Sequence, residues 1–247
     1  MKTTSLISSA IMIWALSQTA YGQTFKSSDK QVSLIELYTS EGCSSCPPAD
    51  HWLNGLTDQQ GLWTDFIPIA FHVDYWDYIG WQDPYAHSRY TQRQYRYQEN
   101  NNIRSVYTPA VIVNGNEWRS WRRSDLPSAK TTKTGQLNIN VEQDQLTAQF
   151  QANVPRNQAL ILNIAILGFD LTSKVKKGEN TGRTLKHEFV VLGYRSVGMQ
   201  ATQAGHFNVN NIALPTTSIN STRTALATWV STAKDQAPLQ DTGGWLN

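Results

Sequence analysis

The sequence predicts a mixed α/β domain followed by an all-β, sandwich-like domain. In the first half, buried apolar segments run into polar turns and alternate with segments that carry helix-start signals. In the second half, several short segments alternate apolar and polar residues with a period of two, as half-buried antiparallel strands do. A polar stretch at residues 130–136 shows neither the periodicity of a helix nor that of a strand. We therefore predict domains at residues 23–133 and 134–247, after a leader at residues 1–22.

The leader has the pattern of a cleavable signal peptide. Lys2 precedes an apolar run at residues 6–16, and Ala20 and Gly22 occupy the −3 and −1 positions before Gln23. This run is too short for a transmembrane helix, and no later apolar run reaches the roughly 18 residues that a span requires. The sequence therefore predicts a soluble exported protein, periplasmic or secreted, with no membrane span.

The charge of the chain argues against two classes of partner. The net charge is +2, and it falls by one when Lys2 is removed with the leader. A chain this close to neutrality gives no electrostatic reason to expect nucleic acid or an anionic membrane as a partner. The short basic cluster of Arg119, Arg122 and Arg123 is interpreted as a solvated surface.

The chain has two cysteines, Cys43 and Cys46, separated by two serines. A predicted buried strand at residues 31–38 precedes them, and Pro47 and Pro48 follow as a helix start. The helix dipole and free N–H groups at such a junction stabilise a thiolate. Cys43, expected to be the more exposed thiol, is the candidate nucleophile, and Cys46 is the candidate resolving thiol. A structural bridge is the alternative, although so small a loop stabilises by only about 2 kcal/mol.

Further elements follow in the first half. Residues 66–73 read as a second buried strand, and residues 88–100 as a helix rich in polar and aromatic side chains. An apolar strand begins at Pro109 and ends in Asn114-Gly115, a strong hairpin signal. The aromatic segment 74–85, which contains Trp76, is either a platform that grips an extended substrate or a loop packed on the core.

Three segments together resemble a known family. They are ELYTSEGCSSCPPAD, FHVDYWDYIGWQDP and VYTPAVIVNG, and residues 178–187 of the second half are similar to the same family. This is an exported thioredoxin-like family, the domain of unknown function 1223, which has no defined reaction. The resemblance implies an α/β thioredoxin-like domain followed by the all-β domain. It also implies that Pro109 is cis and faces the disulfide, and that the backbone at Thr108 binds an incoming peptide as an added strand.

Departures from thioredoxin limit what the resemblance implies. Gly42 stands where a tryptophan is usual, and the serines between the cysteines offer no cationic imidazole to favour a strong oxidant. Glu36 is the candidate proton shuttle for the resolving thiol, with a raised pKa expected for a buried carboxyl. A hydrogen-bonded structural glutamate is the equal alternative.

The second half contains no nucleophile next to a base. Strands are predicted at residues 137–141, 146–150, 159–169, 187–194, 207–214 and 225–231. Residues 178–187 carry Arg183 and His187, which are expected in a surface loop, with contact to the first domain or to a partner as the alternative. We therefore assign this half to scaffolding, partner binding or substrate presentation.

These observations predict an exported thiol–disulfide oxidoreductase that acts on protein or small thiols. Cys43 and Cys46 are its catalytic residues, and Thr108, Pro109 and Trp76 bind substrate. No organic cofactor is required, because the disulfide holds the electrons, but a redox partner must recharge the pair. The alternatives are a binding module without catalysis and a copper- or zinc-handling protein. Two cysteines with His72 or His51 make an incomplete ligand set, so no metal is predicted.

Overall fold

A computed structural model describes residues 22–123, 126, 131–153 and 158–247. The predicted leader therefore lies outside the described residues, apart from Gly22. Within the described ranges the helices are α1 (Pro47–Asn54) and α2 (Ser88–Glu99), with a 3-10 turn at Asp77–Ile79. The strands of the first half are β1 (Gln23–Lys26), β2 (Ser33–Thr39), β3 (Phe66–His72), β4 (Ala110–Val113) and β5 (Asn116–Glu117). Those of the second half are β6 (Gly135–Glu142), β7 (Gln145–Ala152), β8 (Leu160–Phe169), β9 (Leu171–Lys174), β10 (Thr184–His187), β11 (Val190–Gly198), β12 (Gln200–Gln203), β13 (His206–Ala213), β14 (Arg223–Thr232) and β15 (Gln240–Trp245).

The largest sheet joins the two halves of the chain. Its eight strands lie in the order β15-β14-β8-β11-β3-β2-β4-β5. Strands β2 and β3 are parallel, β4 is antiparallel to β2, and β4 and β5 form the predicted hairpin at Asn114-Gly115. The two halves meet where β11 lies parallel to β3, with Val190 opposite Ala70.

The predicted fold class is therefore wrong. A thioredoxin-like domain followed by an all-β domain requires a sheet confined to each half, whereas one sheet here contains four strands from each. The described residues also hold only two α-helices among these large sheets, so the molecule is mostly β-structure and has no thioredoxin-like α/β pattern. Apolar periodicity identified most of the strands, but it does not show which strands pair, and so it could not predict that β11 lies beside β3.

A second sheet also crosses the halves. Its order is β1-β6-β7-β13-β12, and Phe25 of β1 lies opposite Ile139 of β6. Alternating residues of β6, β7 and β13 pack against β8 and β14 in a core that includes Phe150, Leu162 and Leu226. The domain boundary between residues 133 and 134 stays a prediction. None of the helices in the described part of the chain is both long enough and apolar enough to cross a membrane.

The strand β2 separates two layers of side chains. Thr39 hydrogen-bonds to Asp50 of α1, whereas Glu36 hydrogen-bonds to Arg93 and Tyr97 of α2. Because side chains alternate along a strand, the odd-numbered residues of β2 face α1 and the even-numbered residues face α2. The end of β2 and the start of α1 therefore bring the cysteines and the buried carboxyl of Asp50 to the same side of the sheet.

Candidate active site

The two cysteines form a disulfide at the start of α1. Their Cα atoms are 5.4 Å apart. Cys46 is the N-cap of α1 and already has helical backbone angles, and its carbonyl accepts from the amides of Ala49 and Asp50. Pro47 and Pro48 occupy the first helical positions, where a missing N–H costs nothing. The predicted placement of the pair at a strand-to-helix junction is confirmed.

Both cysteines are buried, with none of either residue exposed, whereas Ser44 and Ser45 between them are exposed. The expectation that Cys43 is the more exposed thiol is therefore wrong. Ser45 also places its hydroxyl 3.3 Å from Cys43 Sγ. A sulfur with no exposed surface can react with a substrate only after the atoms that cover it move.

Residues from the second half of the chain bind the backbone of the loop that carries Cys43. Residues 178–181, named here the cover segment, lie between β9 and β10. The Asn180 amide donates to the carbonyls of Glu41, at 2.8 Å, and Cys43, at 3.0 Å. The Glu179 carboxylate accepts from the backbone N–H of Ser44 at 3.0 Å, and hydrogen bonds from Ser44 lower the pKa of Glu179. The cover segment thus occupies backbone groups on both sides of Cys43.

Beside the disulfide lies a buried group of ionisable side chains, named here the acid–histidine cluster. Its members are Glu41, Asp50, His72, Asp83 and His187. His72 Nδ1 lies 2.7 Å from the Asp83 carboxylate, which also accepts from the backbone N–H of Glu41. His187 Nε2 lies 3.0 Å from the Glu41 carboxylate, and the two histidine rings meet edge to face with centroids 5.0 Å apart. These contacts connect the ends of β2, β3 and β10 under the loop that carries Cys43.

Three members of the cluster have shifted pKa values. Burial favours neutral His72, but the charge and hydrogen bond of Asp83 outweigh it and raise the pKa of His72. Burial would raise the pKa of Asp83, yet the attraction of His72 dominates and lowers it. His72 and Asp83 thus form a buried ion pair. For Asp50, burial is the largest effect and raises the pKa, despite the opposing charges of His187 and His72.

Asp50 is the ionisable side chain that α1 places nearest in sequence to the resolving thiol. It lies four residues after Cys46, and residues at that spacing share one face of a helix with Cβ atoms about 5–6 Å apart. Its carboxylate accepts from the Thr39 hydroxyl at 2.7 Å. A crevice of about 250 Å³ between α1 and β10 is lined in part by Asp50 and His187. Asp50 thus has a route for proton exchange with solvent.

The sequence does not single out Asp50, since a carboxylate in the first turn of a helix also suits the helix dipole. The candidate proton shuttle predicted from sequence is Glu36, which lies on the opposite face of β2. The Glu36 carboxylate binds Arg93 through two hydrogen bonds of 2.8 and 3.0 Å and also accepts from Tyr38 and Tyr97. This arrangement favours the alternative of a structural glutamate.

The predicted substrate-binding residues lie together. The Thr108–Pro109 peptide bond is cis, as the family resemblance implies, and both residues are half-buried. The Trp76 indole N–H donates to the Thr108 hydroxyl at 2.7 Å. A Cβ atom at Gly42 would lie only 3.0 Å from the Cβ of Trp76, so the tryptophan packs directly on the loop that leads to Cys43. Trp76 therefore connects the disulfide loop to the cis-proline loop.

The histidines differ from expectation. His187 is buried rather than exposed, and its bond to Glu41 confirms the alternative that this segment contacts the first half. His51 is exposed on α1, and His72 is engaged with Asp83. Among the residues that the structure describes, no three His, Cys, Asp or Glu side chains are arranged to hold a metal ion.

Fold and site together define a protein of mixed sheets in which a covered disulfide begins a helix. The sequence profile of a protein family of unknown function, DUF1223, matches residues 34–231, which include the disulfide and the cover segment. The chain belongs to this family. No curated protein matches the sequence.

Two solved structures are similar in fold. One is the crystal structure of an Agrobacterium tumefaciens protein from a structural genomics consortium, with 24% sequence identity and a TM-score of 0.55. The likeness covers 88% of this chain and 95% of that one. The other is HBP35 of Porphyromonas gingivalis, with 14% identity, a TM-score of 0.56, and coverage of 89% of this chain and 76% of that one. At these identities both likenesses concern the fold alone.

Proposed function

We propose that the protein is an exported thiol–disulfide oxidoreductase whose working pair is Cys43 and Cys46. The observation that carries this proposal is the position of the pair. The chain's two cysteines are bonded to each other at the start of a helix, with a buried carboxyl of raised pKa one turn further along it. A shifted pKa beside a candidate nucleophile is typical of active sites. The leader at residues 1–22 supports export to a compartment where disulfides persist.

The exchange proceeds through a mixed disulfide. In the reduced pair, the Cys43 thiolate attacks one sulfur of a substrate disulfide, and the other substrate sulfur leaves as a thiolate. Cys46 then loses its proton and attacks Cys43 Sγ, which forms the intramolecular disulfide and releases the second substrate sulfur. Two electrons pass from the pair to the substrate, and a dithiol protein returns them. The reverse sequence oxidises a substrate dithiol, and neither direction requires an organic cofactor.

Asp50 is the proposed proton acceptor for Cys46. A raised pKa brings the carboxyl closer to the pKa of a thiol, so proton transfer between the two costs less than for an ordinary aspartate. The crevice beside Asp50 then exchanges the proton with solvent. In this role Asp50 replaces Glu36, whose carboxylate is committed to Arg93.

Access to Cys43 requires displacement of the cover segment. Asn180 occupies the carbonyl of Cys43, and Glu179 occupies the N–H of Ser44. We assign Trp76, Thr108 and Pro109 to the adjoining part of the substrate site. A protein substrate would present its backbone in place of Asn180.

A partner-binding module with a structural disulfide is the second candidate, and the burial of both cysteines favours it. The reduction potential of the pair separates the two. Exchange catalysts lie at about −120 to −270 mV, whereas structural disulfides lie below about −300 mV. Equilibration in glutathione or dithiothreitol buffers, followed by alkylation and mass spectrometry, gives the value directly.

Trapping in cells tests the exchange step. Cys46→Ser should accumulate mixed disulfides through Cys43, and these should vanish in the Cys43→Ser/Cys46→Ser double variant. No trapped partner from Cys46→Ser, combined with a potential below about −300 mV, would exclude the oxidoreductase. Export is tested separately, because the secreted or periplasmic protein should begin at Gln23.

A further inference from the structure

A second candidate site lies on the other side of the sheet from α1, where α2 faces β11. The sequence of α2 repeats arginine at positions 89, 93 and 96, a spacing that places all three on one helix face. Arg93 is buried and paired with Glu36. Arg89 and Arg96 are exposed, and neither forms an ion pair with any carboxylate that the structure describes. The helix therefore presents two uncompensated positive charges toward β11.

The strand β11 extends beyond its neighbour on this side. Val190 pairs with Ala70, and β3 ends two residues later at His72, so residues 193–198 of β11 have no strand beside them on the edge away from β8. The carbonyl of Tyr194 on this edge accepts from Arg89 at 2.7 Å. Because backbone groups alternate along a strand, the N–H and C=O of Ser196 point the same way. No described residue supplies a strand partner for them.

Two cavities follow this open edge. The first, of about 620 Å³, is lined by α2, β11 and residues 213–216; the second, of about 240 Å³, continues toward the turn after β14. They share Tyr194 and Ser196. No aspartate or glutamate occurs among the described residues that line either cavity. Among the described residues, the cationic side chains without a carboxylate partner are Arg89 and Arg195 in the first cavity and Arg96 and Lys234 in the second.

We propose that this groove binds an acidic peptide segment in an extended conformation. Its charge complements carboxylates, and guanidinium groups bind carboxylates through paired, charge-assisted hydrogen bonds. Arg89 and Arg96 are separated by about 10 Å along α2, the length of about three extended residues. A single small anion fills only one cavity, whereas an extended chain reaches both and pairs with the open edge of β11.

The wall of the groove is held in place from within the chain. Arg195 donates to the carbonyl of Ala213 at 2.9 Å, and it forms no ion pair with any carboxylate in the part of the chain that the structure describes. Gly193 allows residues 213–216 to approach, since a Cβ there would lie 2.9 Å from Pro215. The groove is thus formed before any ligand arrives. This proposal does not rest on the redox function, because the groove lies on the α2 side of the sheet and the disulfide lies on the α1 side.

Fluorescence anisotropy tests the groove with the mature protein. The probe is a fluorescein-labelled peptide of alternating glutamate and valine, long enough to span both cavities. The acidic peptide should bind at least about tenfold more tightly than the same peptide with glutamine in place of glutamate, and the difference should shrink as NaCl is raised. Succinate should compete only weakly, because it fills one cavity.

Matched charge reversals locate the site. Arg195→Glu and Lys26→Glu change the net charge equally, but Lys26 is exposed on β1 of the other sheet. Arg195→Glu should weaken binding at least about tenfold, and Lys26→Glu should leave it within about twofold. Lys234→Glu repeats the test at the second cavity without touching residues 213–216. Equal binding of the glutamine peptide, equal effects of the three reversals, or full competition by succinate would each overturn the proposal.

Discussion

The side-chain amide of Asn180 donates a hydrogen bond to the carbonyl oxygen of Cys43, 3.0 Å away and 137 residues earlier in the chain. The same amide binds the carbonyl of Glu41 at 2.8 Å. The side chain of Asn180, from the second half of the chain, therefore binds the backbone on both sides of Gly42. We expect the reactivity of the disulfide to depend on how often these two hydrogen bonds open.

Asn180→Ala should make the disulfide more reactive. Loss of two hydrogen bonds of about 1 kcal/mol each should speed reduction by dithiothreitol at least about tenfold. Stopped-flow alkylation of the released thiols measures the rate. Asn140→Ala removes the same atoms from a half-buried position on β6, in the other sheet, and should react like the parent. Equal rates for the two variants would show that the cover segment does not limit access.

Asp50→Asn should slow exchange and stabilise the fold. Loss of a general base should lower the exchange rate on the order of a hundredfold. Burial raises the pKa of Asp50, so its favourable contribution is complete below the unfolded value of 3.8 and is lost as pH rises through the folded value. Asparagine is uncharged and avoids that loss. The melting temperature of the variant should therefore exceed that of the parent at pH 8 and not at pH 4.

The opposite pattern for Asp50→Asn, an unchanged exchange rate with lower stability at every pH, would assign Asp50 to a purely structural role. Thr39→Val is the matched control, since it removes the hydrogen bond to Asp50 and keeps the carboxyl. It should reduce exchange much less than Asp50→Asn.

Glu36→Gln should reduce stability and leave exchange unchanged. The substitution removes the negative charge that compensates buried Arg93, and breaking such a pair costs about 3–5 kcal/mol. Urea unfolding measures the loss, and the reduction potential of the cysteine pair should stay at the parent value. A large shift in that potential would restore Glu36 as a residue that acts on the thiols.

Asp83→Asn should be most harmful in weakly acidic solution. The raised pKa of His72 gives stability that is complete below 6.5 and is lost as pH rises through the folded value. The lowered pKa of Asp83 gives stability that is complete above 3.8 and is lost as pH falls through the folded value. The ion pair thus contributes fully between these limits. The difference in melting temperature between parent and variant should peak near pH 5–6 and shrink at pH 9.

Local features of the fold were predictable from sequence. Pro47 and Pro48 predicted where α1 begins, and Asn114-Gly115 predicted a hairpin because both residues adopt positive φ, 50° and 81°. The family resemblance predicted the cis bond before Pro109. Each of these signals depends on a few adjacent residues, so it can be interpreted without knowledge of the tertiary structure.

Long-range features were not predictable. The pairing of Val190 with Ala70 and the bond between His187 and Glu41 join residues more than a hundred positions apart. Glu36 and Asp50 are both acids near the cysteines in sequence. They differ in the face of the sheet on which they lie, since Glu36 points from β2 toward α2 and Asp50 lies in α1 on the other face. A single sequence records the period of that strand but not which face meets α1.

The cover segment is synthesised after the cysteines that it encloses. In synthesis from the N-terminus, Cys43 and Cys46 emerge well over a hundred residues before Asn180. Throughout that interval the two hydrogen bonds from Asn180 cannot form, so this part of the enclosure of the loop is missing. Once β10 and β11 add to the sheet, the cover segment closes over the loop, and whichever oxidation state the pair has reached is enclosed with it. Because the cysteines precede the cover segment in the chain, the pair can change its oxidation state before the cover segment binds the loop.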